Sequence, residues 1–98
     1  MPEIMTILGY KIYFWLNEGK PLEPIHVHVS KKYHKNATKI WITKSGKCVL
    51  ANNNDKVPTK DLKKLIKAIE LYQNDIKEIW QSKFGKITYY DKTKSITR

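Results

Sequence analysis

The stretch Ile25-His26-Val27-His28-Val29 constrains the fold of this chain more than any other. Successive side chains of a β-strand point to opposite faces, so His26 and His28 share one face and Ile25, Val27 and Val29 share the other. The aliphatic face is a core face. The two neighbouring imidazoles are either a surface decoration or the centre of a site.

The rest of the first half has the same period of two. Ile4 to Leu8 is a short apolar strand ended by Gly9. Tyr10 to Leu16 is a strand with Tyr10, Ile12, Phe14 and Leu16 on one face and Lys11, Tyr13 and Trp15 on the other. Asn17 to Pro21 is a turn, and Lys31 to Asn36 a polar loop. Ala37 to Thr43 opposes Ile40 and Ile42 to Lys39 and Trp41. Lys44-Ser45-Gly46 then turns the chain into a strand from Lys47 to Ala51, and Asn52 to Asp55 is a loop.

Beyond Pro58 the period changes. Leu62, Leu65, Ile66, Ile69, Tyr72, Ile76, Ile79 and Trp80 recur at three- and four-residue intervals. Thr59 is a candidate N-cap, Asp61 suits the first turn, and Gly85 is placed to stop the helix. Gln73-Asn74 is a point at which it can divide in two. Lys60, Lys63, Lys64 and Lys67 make the opposite face basic, the usual pattern of a solvated helix face.

Length admits one small domain, because 98 residues build a single modest core. No apolar run reaches the ~18 residues of a membrane-spanning helix, and no secretion signal opens the sequence. Cys48 is alone, which precludes an intramolecular disulfide and fits a reducing cytoplasm. It is read as a small strand residue.

Charge gives the strongest indication of a partner. Nineteen basic residues face nine acids for a net charge of +10, and Arg98 is the only arginine. Lysine supplies compact, hydrated charge suited to phosphates, without the planar fork that reads base edges. No acid occurs between Glu23 and Asp55, where Lys31, Lys32, Lys35, Lys39, Lys44 and Lys47 gather beside His34. That interval is either an electrostatic footprint or a set of solvated lysines that keep sheet edges apart.

The motif order resembles a bacterial family of small domains of unknown function. The likeness is carried by Met5-Thr6-Ile7-Leu8, Gly9 to Phe14, Asn17-Glu18 and Pro24-Ile25-His26-Val27-His28-Val29, then Lys39 to Ile42 and Lys77 to Phe84. The family hallmark is a Pro-x-His-Val-His-Val-like strand after an aromatic strand and an Asn-Glu turn. The resemblance spans roughly residues 5–84 and implies a neighbouring small gene, as in toxin–antitoxin pairs, but no reaction. The interval Pro21 to Ile25 and the tail from Ile87 to Arg98 depart from the usual pattern.

These observations predict an α+β domain over residues 1–86, with 87–98 a short strand and basic tail. A four- or five-stranded, mainly antiparallel sheet packs on one C-terminal helix or a helical hairpin. One helical layer covers one sheet face, leaving Lys11, Tyr13, Trp15, His26, His28, Lys39 and Trp41 on the other. Lysines among flat rings suit RNA or single-stranded nucleic acid, with Lys31, Lys32 and Lys35 extending the contact. The same rings can instead form a second small core, under a loop or in a homodimer. His26 and His28 are candidate catalytic residues for metal-independent RNA cleavage, one as base and one as acid. A metal would need a third ligand, and neither metal nor cofactor is expected. The other expected partners are a small acidic protein, bound through the basic surface, or a small nucleotide in a basic pocket.

Overall fold

The fold is seen in a computed structural model, which describes residues 3–16 and 22–90. Five strands run in chain order: β1 (Glu3–Ile7), β2 (Tyr10–Tyr13), β3 (His26–Ser30), β4 (Thr38–Ile42) and β5 (Cys48–Asn52). Each pairs antiparallel with its sequence neighbour, so the sheet is a simple meander with β1 and β5 at its edges. Two helices follow, α1 (Thr59–Leu71) and α2 (Gln73–Phe84), giving the α+β architecture that the two periods predict. The expected Asn17–Pro21 turn lies outside the described residues.

Turn chemistry sets the hairpins. β1 and β2 are joined by Leu8 (φ 54°) and Gly9 (φ 81°), two consecutive left-handed residues. That is the backbone hand that matches strand twist in a two-residue hairpin. Gly9 adopts it freely; Leu8 does so under strain and with its side chain exposed. Between β4 and β5, Thr43 and Lys47 close the turn and Gly46 takes φ 93°. The Gln73 amide nitrogen donates to both the Gly46 carbonyl (3.1 Å) and the Glu70 carbonyl (2.9 Å). The hairpin is thereby docked on the start of α2.

Pattern and helix ends explain the second layer. The N-cap position belongs to Pro58, in extended backbone without a side-chain cap, rather than to Thr59, which is the first helical residue. Tyr72 (φ −99°, ψ 15°) divides the helical run one residue before Gln73-Asn74, and Gly85 ends α2 in the left-handed conformation (φ 83°). Leu65, Ile69, Ile76 and Trp80 meet Ile12, Phe14, Val27, Val29, Ile40 and Ile42 in one core. Ile87 to Tyr90 do not form the expected strand. They lie as an extended strap held by one backbone bond, Ile25 N–H to the Thr88 carbonyl at 2.8 Å. Among the described residues no helix is long and apolar enough to cross a membrane.

Candidate functional site

Alternation brings the predicted residues together on the sheet face away from the core. Tyr13 pairs with His28, His28 with Lys39, and His26 with Trp41 across neighbouring strands. The His26 and His28 rings meet edge-on at 5.1 Å, and Tyr13 lies 5.6 Å from both His28 and Trp15. The two histidines are neighbours, as their spacing requires.

The face is nevertheless not the open surface that one-sided helical cover implies. Tyr13 and His26 are 0% exposed and His28 only 7%. Tyr33, from the loop after β3, packs edge-on against Tyr13 at 4.9 Å, and Tyr90 stacks on Trp41 at 5.0 Å. His26 also lies 5.4 Å from the core Trp80, so it joins both aromatic groups. The rings thus form the second small core that was the alternative from sequence. Its cover comes from a loop and the C-terminal strap, not from a helix. Trp15 and Trp41 are half-buried at its rim.

The histidine environments differ. The Nδ1 of His26 lies 2.8 Å from the Pro24 carbonyl, which can only accept. His26 therefore carries a proton on Nδ1, in a fully enclosed position. His28 borders a cleft of about 320 Å³ together with Trp15, Glu23, Lys35, Lys39, Asn36 and Asn52. Among the described residues, His28 thus borders a cleft while His26 is fully enclosed, so the two imidazoles do not present the same access to a ligand.

The lysines are distributed around that cleft and a second one. Lys39 donates to Glu23 at 2.8 Å and lies 4.3 Å from the Trp41 ring centre. Lys11 lies over Tyr33 at 5.2 Å. Lys31 leans the other way, over the core residue Tyr10 at 5.3 Å. Exposed Lys31 and Lys32 line a depression of about 330 Å³ with Ser30, His34 and Asp55, while exposed Lys35 lines the first cleft. Several ring faces are thus occupied by ammonium groups in cation–π geometry, leaving less bare ring than a base-stacking surface would show.

A polar network that sequence reading missed braces the loop between the clefts. His34 Nε2 meets Asp55 Oδ1 at 2.7 Å, and Asp55 Oδ2 accepts from the Thr38 N–H at 3.2 Å. The Thr38 hydroxyl donates to Asn53 Oδ1 at 2.9 Å, and the Asn53 side chain also bonds both backbone groups of Val57. The run of Asn and Asp at 52–55 marked a loop. The contacts of Asn53 and Asp55 with Thr38 and His34 span 15 to 21 positions, beyond any local pattern.

Cys48 is buried in β5, and its N–H donates to Glu70 Oε2 at 2.9 Å. Burial first, then the Glu70 carboxylate, push the thiol up to about 12 against the opposing pull of Lys77. The folded thiol stays protonated where an unfolded one ionises, so its contribution to stability is present below pH ~9 and is lost as pH rises toward ~12. A thiol alkylating reagent at pH 8 is expected to label Cys48 rapidly in denaturant and slowly in the native protein; equal rates would contradict this placement. Among the described residues, no three His, Cys, Asp or Glu side chains converge as a metal would need.

No curated protein and no solved structure shows a significant match to the chain. A family profile does match, over residues 9–81, from the β1–β2 turn to the last turn of α2. That span includes the His26/His28 strand, the loop lysines and the Asn53–Asp55 network, and it stops short of the strap. The chain belongs to the domain of unknown function DUF4160.

Proposed function

We propose that this protein is a small basic module that binds single-stranded nucleic acid, RNA above all, chiefly through its phosphates. The observation that carries the proposal is the placement of Lys31, Lys32, Lys35 and Lys39 around two adjoining clefts on either side of one braced loop. Glu23 offsets Lys39 in one cleft and Asp55, paired with His34, lies in the other, but no acid falls between them in the chain, which carries +10 overall. Ammonium groups neutralise phosphates without reading sequence, so binding is general rather than base-specific. Asn36, Asn52 and His28 add further hydrogen-bonding groups at the cleft wall. RNA cleavage, as in the toxin-like half of a two-gene system, would be a further step with His28 nearest the ligand.

The test is fluorescence anisotropy with a labelled 12-nucleotide RNA across a salt series. Affinity is expected to fall linearly with salt on logarithmic axes. Replacing Lys31, Lys32 and Lys35 together by Gln should flatten the slope by about 2, since each contact to a single strand contributes about 0.7. The loss should be the same for unrelated sequences. No binding at low salt, or binding abolished by an excess of an acidic protein but insensitive to the three substitutions, would reject the proposal.

A further inference from the structure

The strap after α2 ends in a contact with the geometry of a bound base. Gly85 turns the chain out of α2, and Ile87 and Tyr89 pack against the core while Lys77 lies 5.5 Å from the Tyr89 ring. The Thr88 carbonyl accepts from Ile25 N–H, and the Thr88 hydroxyl donates to the Glu23 carbonyl at 3.4 Å. Two residues on, Tyr90 lies on Trp41 with the ring planes 4° apart and the centres 5.0 Å apart. It is the sole parallel stack in the molecule among the described residues; the other ring pairs are tilted or edge-on.

We infer that Trp41 is a stacking site for one unpaired nucleobase, and that Tyr90 fills it in the free protein as a built-in competitor. This rests on the nucleic-acid reading above and adds a base contact to phosphate contacts. Three observations converge. Trp41 is half-buried on β4 with His26 edge-on at 5.6 Å, so the ring is braced from one side where a base would meet it. The ammonium of Lys39 sits 4.3 Å from the Trp41 ring, where it can meet the phosphate of a stacked nucleotide. The strap is anchored short of Tyr90, by the two Thr88 hydrogen bonds and the packing of Ile87 and Tyr89, so Tyr90 can leave the Trp41 ring by rotating its own side chain while those anchors hold. A competitor that holds the site part of the time lowers apparent affinity by the fraction of molecules left open.

The experiment compares wild type, Tyr90→Phe, Tyr90→Ala, Trp41→Ala and the Tyr90→Ala/Trp41→Ala double variant of the full chain, checking each for folding by circular dichroism. Binding is read by anisotropy at low salt with a single-stranded RNA, the matching single-stranded DNA and the corresponding DNA duplex. An aromatic stack is worth about a two- to tenfold change in an equilibrium, so Tyr90→Ala is expected to tighten single-strand binding by that factor. Duplex binding should be unchanged, because its bases are already stacked. Tyr90→Phe keeps the stack and should match wild type, and adding Trp41→Ala to Tyr90→Ala should erase the gain. If Tyr90→Ala binds single strands no better than wild type, or gains equally on duplex, the stacking site is wrong while phosphate binding stands. If no variant binds any of the three at low salt, both readings fail together.

Discussion

Trp80→Ala is expected to destabilise the protein by about 3–5 kcal/mol, a large fraction of the roughly 5–15 kcal/mol that keeps a domain folded. Trp80 is the largest fully enclosed side chain, and its ring centre lies 4.8 Å from Phe14, 4.5 Å from Phe84 and 5.4 Å from His26. It is the point at which α2, the end of β2 and the start of β3 meet, so its removal opens a cavity that three elements would have to close. The indole N–H is buried with no hydrogen-bond partner among the described residues. Trp80→Phe therefore removes an unsatisfied donor together with part of the volume, and the two effects oppose each other. Urea denaturation should show Trp80→Phe to be much milder than Trp80→Ala. Equal losses would mean that the cost does not follow the volume removed, and would contradict the cavity argument.

Most of the architecture follows from short-range pattern. The alternation through Ile12, Val27, Val29, Ile40 and Ile42 puts these residues in the core, and the three-four spacing of Leu65, Ile69, Ile76 and Trp80 brings the helices onto them. Gly9, Gly46 and Gly85 each take a positive φ where the chain turns or a helix stops. β2 is shorter than its β-forming run suggests, because hydrogen bonding ends at Tyr13 although Phe14 still points into the core. The same alternation correctly grouped Tyr13, His26, His28, Lys39 and Trp41 on one face.

What that face does was not legible, for a physical reason. Counting helical layers says which face the helices cover and nothing about whether loops cover the other. Tyr33 and Tyr90 complete the second cluster from 20 and 49 positions along the chain beyond Tyr13 and Trp41. No local periodicity marks a residue for such a contact. The His34–Asp55 pair is hidden in the same way: each residue sits in a polar loop, and only the fold brings the loops together. The lysines were visible as a charge interval, but their division between two clefts depends on where the loop after β3 is pinned.

Tyr13→Ala is expected to cost as much as Phe14→Ala, about 3–5 kcal/mol each, although the two side chains point to opposite faces of the sheet. If the helices were the sheet's only cover, Tyr13 would be a surface ring and its loss would matter little. Instead both residues are fully enclosed, Phe14 against Trp80 and Phe84, Tyr13 against Trp15, His28 and Tyr33. The Tyr13 hydroxyl donates to the His34 carbonyl at 3.3 Å and accepts from the His34 N–H at 3.4 Å, both long bonds. Tyr13→Phe should consequently lose only about 1 kcal/mol, which separates ring packing from the polar contact. Trp15→Ala and Trp41→Ala, at the half-buried rim, should each cost less than Tyr13→Ala. A Tyr13→Ala protein as stable as wild type in urea would show that the rings do not form a core. The histidine face would then be open in solution, and His26 as well as His28 could meet a ligand.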